Sequence, residues 1–60
     1  MDLVVIDYTF TDETAWTDPE PWPRWLAEYR LWQLGVYDRQ PVPGKRVVRA
    51  LLIPREEKVH

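Results

Sequence analysis

The chain has 60 residues, 45% of them hydrophobic and 13% aromatic, and a formal net charge of −2 with a pI of about 5.2. It contains no cysteine, serine or asparagine, which excludes disulfides, thiolate zinc sites and a Ser or Cys nucleophile. A chain of this length buries only about 60% of its unfolded surface, so large aromatic side chains or association must supply much of its stability. We predict one domain, 1–60, with a polar C-terminal tail at 54–60.

The N-terminal sequence MDLVVIDYTF predicts a strand at residues 3–11. Val4, Ile6, Tyr8 and Phe10 alternate with more polar neighbours, which gives the period of two that is typical of a strand with one buried face. An acidic residue stands where a signal peptide needs basic ones, and the longest apolar run, ALLI, is far shorter than a membrane span. These features predict a cytoplasmic protein.

The segment WTDPEPWPRW, residues 16–25, holds three tryptophans and three prolines. Residues that precede proline avoid the α region, so residues 18–23 are predicted to be extended. Proline is favoured at the first helical position, which predicts a helix that begins at Pro23 with Trp22 as its cap. A helix capped by Asp18 is the alternative, but it would place Pro23 in the helix interior.

The predicted helix spans residues 23–34, and Gly35 is the expected left-handed stop. Its broad apolar stripe contains Trp25, Tyr29 and Trp32, which we predict to form the core because one such stripe can cover a small sheet. Ala27, Leu31 and Leu34 form a second, weaker apolar strip.

The remaining elements complete an α+β fold with the helix packed on a small sheet. Pro43 and Gly44 fit the centre of a type II turn, and a second strand follows at residues 45–53. Two strands alone are marginal, so either a third short strand near residues 36–42 or a second chain at an open edge is expected. A homodimer is compatible with this pattern.

Charge is distributed unevenly along the chain. Residues 1–20 hold six acids and no lysine or arginine, whereas residues 21–60 hold eight bases and four acids. Either the two halves pair with each other or each half faces a partner. The segment from residue 12 to residue 22, here called the acidic segment, is the predicted partner surface, with Asp12, Glu13, Trp16, Asp18, Glu20 and Trp22 as its contact residues.

Metal and nucleic-acid sites are weakly supported. The acids of the acidic segment lack EF-hand spacing, and the prolines hold them away from a tight coordinating loop, so no metal or cofactor is predicted. Arg46 and Arg49 make the second strand basic and are a second candidate contact, either for nucleic acid or as protection of a strand edge. The acidic balance of the whole chain argues against direct nucleic-acid binding.

We therefore hypothesise that the chain is a small non-catalytic protein-binding module. It would inhibit or modulate a larger protein with a basic surface, in the manner of phage or mobile-element anti-host factors such as anti-CRISPR proteins. Two alternatives are a nucleic-acid-associated regulator that uses the basic second strand and a structural subunit that pairs through an open strand edge.

Overall fold

The computed structural model describes residues 2–55. One helix packs on a four-stranded antiparallel sheet, which confirms the predicted α+β class. The elements in chain order are β1 (Leu3–Phe10), β2 (Ala15–Thr17), β3 (Trp22–Pro23), α1 (Arg24–Tyr37) and β4 (Val47–Pro54). Most of the predicted polar tail, residues 56–60, lies outside the described residues.

Strand β1 lies at the centre of the sheet. β4 pairs with it along one edge, while β2 and β3 pair one after the other along the opposite edge, with Tyr8 facing Trp16 and Val4 facing Trp22. Between them the amide of Asp18 donates to the carbonyl of Ile6 at 2.9 Å. Residues 15–17 and 22–23 thus pair with the same edge of β1 as two short strands, separated by a bend at residue 20.

The third strand predicted near residues 36–42 is wrong. Residues 36 and 37 belong to α1, and residues 38–42 contain no strand. The sheet is completed instead by the segment that precedes the helix. The sequence pattern missed it because its strand pieces are only three and two residues long and carry no alternation that could be recognised.

The long strands differ slightly from their predicted bounds. β1 ends at Phe10 because Thr11 opens a turn, and β4 runs from Val47 to Pro54 rather than over 45–53. The register shifts next to Val48, which leaves a bulge in β4. The predicted type II turn is confirmed, since Gly44 has φ 80° and the Lys45 amide donates to the Val42 carbonyl at 3.2 Å.

The helix begins and ends later than predicted. Pro23, not Trp22, is the N-cap, with ψ 143°, and Arg24 is the first helical residue. At the other end Gly35 lies inside the helix, and Asp38 takes the left-handed position with φ 54°. Its carboxylate accepts hydrogen bonds from Gln40 Nε2 and from Arg46, and these tertiary contacts hold Asp38 in a conformation that aspartate tolerates.

The core lies between α1 and one face of the sheet. Its buried side chains are the alternating residues of β1 and a single helix residue: Val4, Ile6, Tyr8, Phe10 and Ala27. Leu31 and Leu34 of the helix pack against them. The prediction that Trp25, Tyr29 and Trp32 form the core is therefore wrong, because the weaker apolar strip of the helix faces the sheet.

The side chains that β1 contributes to the core include large ones. Tyr8 and Phe10 are buried in one cluster with Ala27. Protein interiors are close-packed, so the side of the helix that carries Ala27, Leu31 and Leu34 can lie closer to the sheet than its aromatic stripe could.

Candidate protein-binding surface

The helix presents an apolar stripe to solvent. Trp25 is 68% exposed, Tyr29 49% and Trp32 51%, and Val36 is also exposed. At about 100° per residue, these four side chains fall within a sector of about 60° that points away from the sheet. We call this stripe the aromatic helix face (Trp25, Tyr29, Trp32 and Val36).

The aromatic rings on this stripe are ordered by one another. The rings of Tyr29 and Trp32 stack with centroids 5.8 Å apart and planes 18° apart, and Trp32 meets Tyr37 edge-to-face at 5.7 Å. Such pairs stabilise a ring arrangement beyond their area of contact. The three aromatic side chains of the aromatic helix face expose roughly 300 Å² between them, the size of surface patch that marks interaction sites.

A groove of about 400 Å³ lies between the second half of α1 and β4. Leu34, Val47 and Ala50 contribute apolar lining, and Arg46 and Asp38 stand among its polar residues. None of the residues of the aromatic helix face lines the groove, so the two are separate features of the surface.

In the acidic segment, Asp12 is engaged within the chain. One carboxylate oxygen accepts from the amide of Thr14 at 3.0 Å and from its hydroxyl, and the other lies 3.1 Å from Lys45 Nζ. The Thr14 bonds first, and then the Lys45 ammonium, lower the pKa of Asp12 to about 2 from its ordinary 3.8. Asp12 thus stabilises the turn after β1 and joins it to the segment that precedes β4.

This lowered pKa predicts a pH-dependent contribution to stability. A carboxyl group whose folded pKa lies below its unfolded pKa stabilises the fold above the unfolded value and loses that contribution as pH falls through the folded value. We therefore expect the wild type to have a higher melting temperature than Thr14→Ala. This difference should be largest at about pH 5 and should decrease toward about pH 2.

The measurement is thermal unfolding by circular dichroism across that pH range. The pH-dependent difference in melting temperature between wild type and Lys45→Gln should be smaller than that between wild type and Thr14→Ala. The reason is that the Thr14 hydrogen bonds are the larger cause of the lowered pKa of Asp12. A difference between wild type and Thr14→Ala that stays constant from about pH 5 to about pH 2 would contradict the assignment.

The other acids of the acidic segment are less constrained. Glu13 adopts φ 68° in the turn, and both Glu13 and Glu20 are exposed. The Asp18 carboxylate accepts from the Glu20 amide at 3.0 Å, which turns the chain between β2 and β3. Within residues 2–55, none of these three forms an ion pair.

The two tryptophans of the acidic segment occupy different surroundings. Trp16 lies in β2 and stacks on Tyr8, with centroids 6.0 Å apart, yet it remains partly exposed. Trp22 packs against the core, and the Arg30 guanidinium lies 4.6 Å from its ring centroid. Trp22 Nε1 is buried and has no hydrogen-bond partner in the described part of the chain. The structure brings Trp16 and Tyr8 together but gives Trp22 a mainly internal role.

The basic residues do not form one continuous surface. Arg46 pairs with Asp38 at 3.3 Å, Lys45 pairs with Asp12, and Arg24 pairs with Asp2 at 3.3 Å. Arg49 lies on the sheet face opposite the helix, beside Thr9. Two acids of the first twenty residues thus pair with bases of the second part, so the uneven charge along the sequence is partly balanced within the fold.

The described residues contain no group of three or more His, Asp or Glu side chains arranged to hold a metal ion. Among residues 2–55 no helix has the length and apolar character needed to cross a membrane. Comparison with protein-family models, with curated proteins and with solved structures finds no match.

Sequence reasoning missed the aromatic helix face as a candidate surface. The signal was present, since Trp25, Tyr29, Trp32 and Val36 are spaced by four, three and four residues, as on one side of a helix. The same spacing is typical of a core stripe. Only the exposed fractions of these side chains distinguish the two interpretations.

Proposed function

We propose that the protein is a small non-catalytic binding module that docks on a larger protein through its aromatic helix face. The observation that supports this most directly is that the helix turns its aromatic side chains to solvent while an alanine and two leucines face the sheet. A chain with so little core gains no folding stability from aromatic surface left in water.

The chemistry of the aromatic helix face suits protein recognition. Tryptophan and tyrosine are the residues that most often dominate binding energy at protein interfaces. The rings stand on a folded helix, and those of Tyr29 and Trp32 are stacked on each other, so these two would lose little conformational entropy on binding. The four–three–four spacing is that of a helix seam, which suits a helix or an apolar groove of the partner.

The acidic segment has a secondary role in this proposal. Glu13, Asp18 and Glu20 form no ion pair in residues 2–55 and are available to steer a partner with a basic surface. We propose that binding blocks that surface, in the manner of a phage or mobile-element anti-host factor acting in the cytoplasm. The alternative of nucleic-acid binding lacks a surface comparable to the aromatic helix face, because the basic residues Lys45 and Arg46 are paired with acids.

The test is quantitative affinity purification from the native host, comparing wild type with the double variant Trp25→Ser, Trp32→Ser. Buried aromatic contacts at interface centres contribute about 2 kcal/mol or more each, so the double variant should lose most of any specific partner. Circular dichroism should show an unchanged fold, since both side chains are exposed.

Two further variants decide the location of the surface. Ile53→Thr, which removes apolar surface from the opposite side of the sheet, should retain the partner. Glu13→Lys with Glu20→Lys should weaken capture mainly at low salt, as expected for charges that steer association. If the tryptophan variant still captures the partner and the glutamate variant does not, the binding surface lies on the acidic segment and the proposal is refuted.

A further inference from the structure

The two edges of the sheet differ in their capacity to pair with another strand. β4 pairs with β1 on one side and, within residues 2–55, with no strand on the other. The opposite edge consists of the short strands β2 and β3 and is interrupted by Pro19, Pro21 and Pro23. Proline cannot donate to a strand ladder, so that edge is closed to further pairing.

The free edge is apolar apart from Arg49, and its regular part lies between the bulge at Val48 and Pro54. β4 has eight residues with the sequence VVRALLIP, and Leu51 and Ile53 are 46% and 41% exposed. Both lie on the sheet face opposite the helix, where Leu51 is opposite Asp7 and Ile53 is opposite Val5. A strand edge of this length and composition is a template for pairing with another extended chain.

We infer that the occupant of this edge is a second copy of the chain, paired antiparallel through β4 about a twofold axis at Leu51. Because each copy offers one open edge and one closed edge, such pairing stops at two chains. A second copy is the occupant that the sequence of β4 favours, because this edge can pair with itself with matched faces and without opposing like charges.

The residues of β4 select this axis. Residues opposed across the two copies of β4 lie on the same sheet face only if the twofold axis passes through a residue. Shifting the pairing by one residue would oppose residues that belong to different faces. An axis at Ala50 would set Leu52 against the bulge residue Val48, whereas an axis at Leu51 sets Val48 against Pro54 at the end of the strand. An axis at Leu52 would set Arg49 against Arg55 of the second copy. At Leu51 the central pairs join leucine with leucine, Ala50 with Leu52 and Arg49 with Ile53, with no like charges opposed.

This arrangement has a consequence for the rest of the molecule. Antiparallel pairing of identical edges with matched faces places the axis perpendicular to the sheet, so both helices lie on the same side. The grooves beside α1, which Val47 and Ala50 help to line, then flank the new seam. The dimer presents two aromatic helix faces on one side, although the inference does not depend on the function proposed for them.

Sedimentation velocity of the full chain at rising concentration tests this inference. A species of twice the 7.3 kDa chain mass is expected for wild type. Leu51→Lys and Leu51→Glu should each weaken dimerisation about tenfold or more, because like charges meet at the axis. An equimolar mixture of the two variants should restore the dimer. Ala15→Lys, an exposed charge at the opposite edge of the same sheet face, should leave the dimer intact.

A second measurement guards against variants that fold poorly. The chain has no cysteine, so Leu51→Cys introduces a single thiol, and directly opposed residues of an antiparallel pair are close enough for a disulfide. Oxidation should give a covalent dimer with Leu51→Cys and none with the exposed control Ala15→Cys.

Either of two results would overturn the inference. One is a monomer at every concentration together with no disulfide in Leu51→Cys. The other is a dimer that survives both charged Leu51 variants but is lost in Trp25→Ser, Trp32→Ser, which would place self-association on the helix instead. Failure of partner capture by the aromatic helix face would leave the dimer result unchanged, so the two proposals fail separately.

Discussion

Replacing Ala27 with glutamate is expected to unfold the protein or to lower its free energy of unfolding by about 4 kcal/mol or more. Ala27 has no exposed surface and packs within the cluster of β1 side chains. A carboxylate there would be buried without a partner, and its added volume would push the helix off the sheet. A 60-residue domain has a total stability of only about 3–9 kcal/mol, so this loss removes most of it.

Urea unfolding followed by circular dichroism measures this effect, and Trp25→Glu is the matched control. Trp25 is two residues away on the same helix but points to solvent, so its replacement should change the free energy of unfolding by about 0.5 kcal/mol or less. The reverse order of effects, with Trp25→Glu the more destabilising, would mean that the aromatic stripe forms the core and that the aromatic helix face does not exist.

Replacing Ile6 with alanine is expected to cost about 2–5 kcal/mol. Ile6 is fully buried at the middle of the central strand, opposite Leu52 of β4. Removing three carbon atoms loses their burial and leaves a cavity that a close-packed core fills only in part. Because the core contains only five buried side chains among the described residues, neighbouring contacts offer little compensation.

Ile53→Ala serves as the control for this second effect, with the same chemical change on the exposed side of the sheet. It should cost about 1 kcal/mol, through reduced strand propensity and cross-strand contact with Val5. Measurement should be made at low protein concentration, so that any dimer through β4 does not contribute to stability. Equal losses for Ile6→Ala and Ile53→Ala would show that the two sheet faces are equally buried and would contradict the described core.

Several interactions bear on both stability and recognition. The pairs Asp12–Lys45 and Asp2–Arg24 join the acidic start of the chain to its basic remainder. Exposed ion pairs of this kind contribute little to stability on their own. Of the acids in the acidic segment, only Asp12 is paired in this way within residues 2–55.

The sequence by itself determined the features that depend on local geometry. Alternation from Val4 to Phe10 identified β1 and its buried face, because successive strand residues point to opposite sides. Prolines placed the start of the helix within one residue, since proline is favoured at the beginning of a helix. Gly44 after Pro43 identified the turn, because a type II turn needs positive φ at that position.

Only the tertiary structure decided which side of the helix faces the sheet. The two apolar strips of α1 both have helical spacing, and periodicity cannot rank them by the space available beneath the helix. That space depends on Tyr8 and Phe10, which come from a strand distant in sequence and are buried in one cluster with Ala27. Likewise, the pairing of residues 15–23 with β1 and the left-handed Asp38 held by Arg46 depend on contacts between separate elements. The candidate surface was therefore determined by packing, although every one of its residues is visible in the sequence.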